Sequence, residues 1–359
     1  MAEKKLHEAL LYDAVQGSAV KCKLCARYCT IPDGKYGFCL VRKNEAGKLF
    51  TLSYGKSTGL AVDPIEKKPF FHFKPGSRVL SFGTPGCNFR CLNCQNWELS
   101  QGPRESLSPE EALAMRETSP KEIARRAVNE NCGGVAYTYS EPTIFFEYAR
   151  DTVLETRRIA PEKSHMFVSN GYFTKEAFEL MQKEKLLDAI RIDLKFINND
   201  KYLETTGGSL APVLDSIKRV YSTRRSAHKV HLEIIALIIP TLNDSPDDLH
   251  ELSRFVASVG KDIPLHFIRF FPYHKMANLP ETPLSTLVEA KKIAEAEGLE
   301  YVFIGNTGLP HVEDTVCPKC KTTLVARSGM RVLSNVFEKA QKTKTPACPK
   351  CGEKINIVL

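Results

Sequence analysis

Three cysteines in the first third of the chain have the types and spacing for redox chemistry. Cys87, Cys91 and Cys94 follow the pattern C-x3-C-x2-C. They come directly after residues 78–83, an apolar run that alternates like a β-strand and ends in a Thr-Pro-Gly turn signal. A site that only holds a fold normally takes four protein ligands, so three thiolates leave one metal position open to a small molecule. The spacing therefore predicts a [4Fe-4S] cluster with one open iron on a loop that leaves a strand.

Strand and helix signals alternate after this loop. Near-continuous runs rich in β-branched and aromatic residues are typical of strands buried on both faces. Together with 78–83, these runs predict six strands, of which the other five lie at residues 134–139, 165–169, 189–194, 231–239 and 265–270. A further strand is predicted at residues 301–306. Helices are predicted at 174–185 and 246–259, and Ser-Pro-x-Glu capping boxes predict helix starts after Ser108 and Ser119. Repeated βα units predict a parallel α/β sheet, and six to seven units suit a partial (βα)6 TIM-like barrel.

In such barrels the chemistry lies on loops at the carboxyl ends of the strands. Polar residues stand at several predicted strand ends, namely Tyr139, Ser140, Glu141, Asn170, Asp193, Lys195 and Asn306. Other interpretations stay open: Asn170 begins a common turn dipeptide, Asp193 and Lys195 could form a surface ion pair, and Glu141 could be a helix N-terminal acid. The run from Glu66 to Lys68 fits either a solvated turn or the mouth of a site.

A second set of four cysteines lies in an N-terminal segment, residues 1–75. Cys22, Cys25, Cys29 and Cys39 fall within a stretch that Pro and Gly mark as loop. Four thiols so close together predict a metal site. Zinc and a second iron–sulfur cluster both take four thiolates, and the spacing does not choose between them.

A third set follows the predicted barrel, which spans residues 76–312. Cys317, Cys320, Cys348 and Cys351 form two matching Cys-Pro-x-Cys knuckles that predict a zinc ribbon in residues 313–359, with a β-hairpin at 323–334 filling the gap. A closed site of this kind predicts a separable module. The segment holds nine Lys or Arg against four Asp or Glu, so nucleic-acid binding is possible but not favoured, since four thiolates offset part of that charge.

Other features of the sequence indicate the cellular compartment of the protein. Residues 1–7 are charged rather than apolar, and the longest strongly apolar run, residues 234–239, is far too short to span a bilayer. Eleven of the twelve cysteines belong to the three clusters, which is typical of metal ligands in a reducing compartment rather than of disulfides. We expect a cytoplasmic protein without a membrane segment.

The cysteine triplet on the loop after a first barrel strand resembles the radical S-adenosylmethionine (SAM) superfamily. Two further stretches, Cys-Gln-Asn-Trp ending at Trp97 and Asp-Pro-Ile-Glu-Lys-Lys-Pro beginning at Asp63, together with the N-terminal cysteines, resemble the radical SAM member of the AmmeMemoRadiSam system. That group is similar to the pyruvate formate-lyase activating enzymes. One departure is Asn93, where many members carry an aromatic residue.

The resemblance implies roles for the strand-end residues. It places Tyr139, Ser140 and Glu141 near the SAM amino group and Asn170 near the ribose. By the same pattern, Asp193 and Lys195 lie near the methionyl carboxylate, and Asn306 near the adenine. It also implies an electron donor such as flavodoxin or ferredoxin, and Memo-like and AMMECR-like partner proteins.

Three functions fit the sequence. The first is a radical SAM enzyme that cleaves SAM to a 5′-deoxyadenosyl radical and abstracts hydrogen from a protein, a peptide or a small molecule. The second is a radical SAM enzyme that modifies RNA, and the third is a non-catalytic metal-dependent protein that binds nucleic acid or a partner. No residue beyond the cluster ligands is predicted to act as nucleophile or general base.

Overall fold

The structure is a computed structural model that describes residues 6–105, 108–338 and 346–359. Residues 1–5, which carry most of the charged start, lie outside the described residues. Within the described ranges, no helix is both long enough and apolar enough to cross a membrane.

Two small antiparallel sheets come before the main sheet. Their strands are β1 (His7–Glu8), β2 (Tyr12–Ala14), β3 (Val20–Cys22), β4 (Thr30–Ile31), β5 (Arg42–Glu45) and β6 (Lys48–Thr51). One sheet has the order β2-β3-β4 and the other β1-β6-β5. The pairing of β3 with its neighbours places Cys22 at a strand end. Cys25 forms an isolated bridge with Phe173, Cys29 lies in irregular chain and Cys39 in a turn.

The main sheet has eight strands in sequence order. They are β7 (Thr58–Pro64), β8 (Arg78–Gly83), β9 (Gly134–Tyr137), β10 (Ser164–Ser169), β11 (Ala189–Asp193), β12 (His231–Ile238), β13 (Leu265–Arg269) and β14 (Val302–Gly305). The last seven are parallel, as the buried apolar runs predicted. The architecture is therefore an α/β fold with a parallel sheet, consistent with a radical SAM barrel.

Strand β7 was not predicted as part of this sheet. It pairs antiparallel with β8, Asp63 opposite Val79, although it precedes the boundary placed at residue 75. The polar and glycine-containing sequence of this strand hides it, because an edge strand does not need an apolar run on both faces.

Helices cover the sheet between its strands. They are α1 (Trp97–Ser100), α2 (Gly102–Glu105), α3 (Pro109–Ala112), α4 (Pro120–Asn129), α5 (Phe146–Ile159), α6 (Lys175–Lys183), α7 (Asn199–Thr206), α8 (Ala211–Ser222), α9 (Pro246–Val259) and α10 (Leu284–Ala296). Short 3-10 turns occupy Ile65–Lys67, Pro142–Phe145, Thr223–Arg225 and His274–Met276. Both predicted capping boxes are confirmed: Ser108 and Ser119 each accept from the N3 backbone N–H and receive the reciprocal Glu contact.

The C-terminal segment forms a three-stranded antiparallel sheet of β15 (Thr315–Val316), β16 (Thr323–Ser328) and β17 (Arg331–Asn335). The predicted hairpin is confirmed. Its core is shared with the barrel, because Tyr301 and Phe303 pack in one buried cluster with Leu324 and Val325. The C-terminal segment is thus joined to the last strand of the main sheet by apolar contacts.

A buried polar network strengthens this junction. Glu233 of β12 is fully buried and accepts hydrogen bonds from the backbone N–H groups of Phe71 and His72, at 3.0 and 2.8 Å. Arg327 of β16 donates to the Phe71 carbonyl at 2.6 Å and to the Thr315 hydroxyl at 3.0 Å. The segment around Phe71 is therefore fixed between the sheet and the C-terminal module.

Candidate active site

A cavity of about 680 Å³ opens at the carboxyl end of the parallel strands. All ten residues predicted for the cluster and SAM line it: Cys87, Cys91, Cys94, Tyr139, Ser140, Glu141, Asn170, Asp193, Lys195 and Asn306. They come from five different strand ends, which the parallel sheet brings to one edge. The tertiary structure thus assembles the predicted site in one place.

Backbone hydrogen bonds hold the cysteine loop against helix α7. Arg90 N–H donates to the Thr206 carbonyl at 2.7 Å, and Leu92 N–H donates to the Thr205 carbonyl at 3.0 Å. Phe89, directly before Arg90, is fully buried, and its ring centroid is 4.9 Å from that of Tyr172. Two of the thiols add contacts of their own: Cys87 Sγ accepts from the Phe89 N–H at 3.4 Å, and Cys94 Sγ lies 3.0 Å from the Ser100 hydroxyl.

The three cysteines of the loop are half-buried, with their thiols at the wall of the cavity. Burial raises the pKa of Cys91 to about 12, although the nearby Lys195 ammonium opposes this shift, and burial also raises the pKa of Cys87 and Cys94. Thiolates at this position need a positive metal centre, because a coordinating thiol is deprotonated by the metal it binds. The loop is thus suited to a metal cluster rather than to a free reactive thiol.

Glu141 is buried and saturated by its own surroundings. One carboxylate oxygen accepts from the Thr143 N–H at 2.9 Å and the Ser169 hydroxyl at 2.8 Å, and the other accepts from the Asn170 N–H at 2.7 Å. Burial raises its pKa, while these hydrogen bonds oppose the shift. Glu141 caps the turn Pro142–Phe145, as a helix-start acid does, and it also lines the cavity, while its role toward SAM stays a prediction. Its main action is to tie the loop after β9 to the loop after β10.

This network makes Glu141→Gln a strong test of scaffolding. The glutamine amide would turn an N–H group toward groups that already donate, so we expect a loss of about 1–3 kcal/mol in the free energy of unfolding. Denaturant unfolding measures it, with Glu179→Gln as the control because the Glu179 side chain is 61% exposed. Equal unfolding free energies for the two variants would contradict the scaffold role.

Asp193 lies between two cations in the wall of the cavity. Its carboxylate is 2.6 Å from Arg191 Nη2 and 2.9 Å from Lys195 Nζ. Burial by itself would raise the Asp193 pKa, but Arg191 and Lys195 outweigh it and lower the pKa. The ion pair is real, but it faces the cavity rather than the outer surface.

The remaining predicted contacts are held by short polar links. Tyr139 adopts a left-handed backbone with φ 67°, a strained conformation for an aromatic residue, and its hydroxyl donates to Asp63 at 3.0 Å. Ser140 donates to the Thr84 carbonyl at 2.6 Å, and Asn170 Nδ2 donates to Asn88 at 2.7 Å.

Several cavity residues were not predicted as site residues. Lys68 is almost fully buried, lies 2.8 Å from Asp63 and sits over the Tyr139 ring at 4.4 Å from its centroid. Lys67 and Lys68 of the Glu-Lys-Lys run therefore lie at the cavity mouth, whereas Glu66 is buried beside Gly76 and Arg327. Arg191 could have been found from strand alternation, since it shares a face with Asp193. Met330, on the hairpin between β16 and β17, also lines the mouth, and no sequence signal pointed to it.

Two polar atoms in the cavity wall are available to a ligand. Among the described residues, neither Asn93 Oδ1 nor Arg191 Nε has a hydrogen-bond partner, although both are buried. Buried polar groups are normally paired, so such atoms indicate a place where a bound molecule completes the contacts.

The other two cysteine sets also converge. Cys22, Cys25, Cys29 and Cys39 line one small cavity beside the cysteine loop. In the C-terminal module the four Sγ atoms lie within 4.8 Å of one another, with Cys317 and Cys351 3.6 Å apart. Across the described ranges, no other three Cys, His, Asp or Glu residues bring ligand atoms this close together.

The chain is similar to several known proteins. The Radical SAM superfamily profile matches residues 82–256. The chain is 40% identical over 357 residues to Uncharacterized protein MJ0808 of Methanocaldococcus jannaschii, covering 99% of this chain and 100% of the relative. It is 25% identical over 209 residues to the pyruvate formate-lyase-activating enzyme of Staphylococcus aureus, covering 56% of this chain and 76% of that enzyme. The solved structure of Streptococcus suis SuiB bound to S-adenosylmethionine aligns with a TM-score of 0.46 at 15% identity, over 63% of this chain and 49% of that one.

The superfamily implies a [4Fe-4S] cluster and SAM, and the hypothesis of a non-catalytic binding protein is wrong. The specific AmmeMemoRadiSam assignment stays a prediction. Residues 82–256 therefore form a radical SAM superfamily domain, and the chain is an enzyme similar to the pyruvate formate-lyase activating enzymes.

Proposed function

We propose that the protein cleaves SAM reductively at a [4Fe-4S] cluster bound by Cys87, Cys91 and Cys94, and abstracts hydrogen from a protein, peptide or small-molecule substrate. The observation that carries the proposal is that three thiols and all seven predicted SAM contacts line one cavity. Within the described ranges, no fourth cysteine lines it, as expected if one iron stays open for SAM.

The residues present fit both groups. Among the described residues, only the C-terminal quartet has ligand atoms that all lie within 4.8 Å of one another, so the three thiols are not gathered around one ion, which suits thiolates that ligate separate irons. Asn93 Oδ1 and Arg191 Nε offer an acceptor and a donor to a ligand that carries an amino group, a carboxylate and hydroxyls. When bound, the cluster and SAM supply one-electron cleavage of a sulfur–carbon bond and a radical that abstracts hydrogen.

The chain's own residues bind, orient and shield. Asp193 and Lys195 offer charges of both signs to the zwitterionic end of SAM, and Glu141 fixes the two loops that frame it. The apolar side chains of Ile235, Leu237 and Ile268 form another part of the wall, where they exclude water from a reactive species.

Asp193→Asn is expected to weaken SAM binding about tenfold, the equivalent of about 1.4 kcal/mol, because it removes the charge between two cations and keeps the shape. Equilibrium SAM binding to the reconstituted protein measures the effect, and the cluster's absorbance should not change. Asp13→Asn is the matched control, since Asp13 forms an exposed ion pair with Lys23 at 2.8 Å. An unchanged SAM affinity in Asp193→Asn would remove this residue from the site.

The function itself is tested by anaerobic reconstitution with iron and sulfide, followed by a 5′-deoxyadenosine assay with a low-potential one-electron reductant. Production of 5′-deoxyadenosine and methionine in equal amounts supports the proposed function, and no 5′-deoxyadenosine at full iron content refutes it.

Flavodoxin or ferredoxin is the proposed electron donor. Memo-like and AMMECR-like proteins are the proposed partners. The C-terminal quartet of cysteines is proposed to bind zinc, and the proposed location of the protein is the cytoplasm.

An RNA substrate is less favoured than a protein, peptide or small molecule. The basic surplus of the C-terminal segment includes Arg327, whose side chain is fully buried against Glu66 and Phe71 and is not available to phosphates. Electrophoretic retention of RNA at moderate salt would reverse this preference.

A further inference from the structure

The N-terminal cysteines form a second ligand set that the proposed reaction does not use. Cys22 leaves strand β3, and its N–H donates to the Cys29 carbonyl at 2.9 Å. The turn after Cys25 is fixed by the N–H of Tyr28, which donates to the Cys25 carbonyl at 3.1 Å. With Cys39 these residues line one small cavity. Backbone hydrogen bonds of the chain itself thus help to place the four cysteines around one cavity.

The spacing of these thiols differs from that of a single metal ion. Around zinc, with Zn–S bonds of about 2.3 Å, tetrahedral thiolates lie about 3.8 Å apart. The C-terminal quartet meets this geometry, with Cys320 and Cys348 also 3.6 Å apart. Of the N-terminal four, all within the described ranges, no three bring their Sγ atoms within 4.8 Å of one another. A cubane cluster gives each thiolate its own iron and holds the sulfurs further apart than one ion does.

A buried arginine indicates that the centre is anionic. Arg42 lines the same cavity with a side chain that is 2% exposed, and only its Nη2 group is paired, with Glu147 at 2.5 Å. Among the described residues, Arg42 Nε and Nη1 have no hydrogen-bond partner. Unpaired donors of a buried guanidinium are costly, so a negatively charged group beside them is expected. Four thiolates around a metal centre supply that charge.

The cavity lies directly against the radical SAM loop. The Cys39 carbonyl oxygen is 3.0 Å from where a Cβ at Gly86 would stand, and Gly86 has φ +97°. Only glycine allows this approach without strain, and Cys87 is the next residue. Asn88, on the other side of Cys87, lines the N-terminal cavity as well.

We infer that Cys22, Cys25, Cys29 and Cys39 bind a second [4Fe-4S] cluster rather than zinc. All four irons are then ligated by protein, so this cluster has no open position and does not bind SAM. The inference does not depend on the proposed reaction, because it concerns metal content alone.

The test counts metal in the full-length chain after anaerobic reconstitution. The unaltered protein is expected to hold about eight iron, eight sulfide and one zinc, and the variant with Cys87, Cys91 and Cys94 all replaced by alanine about four iron, four sulfide and one zinc. The variant should keep the broad visible absorbance and the electron paramagnetic resonance signal of a reduced [4Fe-4S] cluster, although it cannot cleave SAM.

Zinc in place of the second cluster would overturn the inference: about four iron and two zinc in the unaltered protein, and no sulfide in the triple variant. The inference would also be overturned if the triple variant held metal only at the C-terminal quartet and the unaltered protein held only about four iron. Cys132→Ala is the matched control, since this buried cysteine belongs to none of the three sets, and its iron content should not change. The count in the unaltered protein decides the matter even if the triple variant fails to fold.

Discussion

Replacing any one of Cys87, Cys91 or Cys94 by alanine is expected to abolish 5′-deoxyadenosine formation, with a loss of at least about a thousandfold. Each thiol must ligate one iron, and within the described ranges no other cysteine lines the cavity to take its place. The loop should largely keep its shape, because the Thr205 and Thr206 carbonyls still hold its backbone when a thiol contact such as that of Cys87 with the Phe89 N–H is lost. The measurement is 5′-deoxyadenosine per chain in anaerobically reconstituted protein.

Cys132→Ala provides the control for this prediction. Cys132 is also buried, at 1% exposure, but it lies at the end of helix α4 and outside the cavity lining. It should retain full activity. If a single variant of the triplet kept most of its 5′-deoxyadenosine output, the cluster assignment would be wrong.

Deleting residues 313–359 is expected to remove most of the free energy of unfolding of the remaining chain. The deletion would expose Phe71, Tyr301 and Phe303, which are 2–3% exposed in the full chain. Each such side chain contributes about 1.5–3 kcal/mol by its burial, whereas a whole domain is stable by about 5–15 kcal/mol. The deletion also removes Arg327, leaving Glu66 buried without that cation 3.9 Å away.

This expectation reverses the one drawn from the knuckle repeats, which predicted a separable module. Thermal unfolding and solubility of residues 1–312 against the full chain measure the effect, and SAM cleavage should fall with the folded fraction. Met330→Ala is the control, because this residue of the same module is 54% exposed and its loss should leave the unfolding temperature unchanged. A truncated chain as stable and as active as the full one would show that the shared core adds little.

The sequence by itself determined the cysteine loop, the strands that position it and most of the cavity. The C-x3-C-x2-C spacing is local, so it survives in any arrangement of the rest of the chain. Strands such as β12 are buried on both faces and must be continuously apolar, which made them visible. The capping boxes after Ser108 and Ser119 were equally readable, because helix ends satisfy their backbone groups with neighbours three residues away.

Only the tertiary structure decided which distant groups meet. Strand β7 joins the sheet through backbone pairing, which leaves little trace in side-chain types, and it brings Asp63 and Lys68 to Tyr139. The packing of the C-terminal module on Phe303 depends on complementary apolar surfaces, each of which looks ordinary in its own segment. The distances between thiols were undetermined for the same reason: spacing along the chain limits the ligands available, but the folded backbone sets whether their sulfurs surround one ion or stand apart.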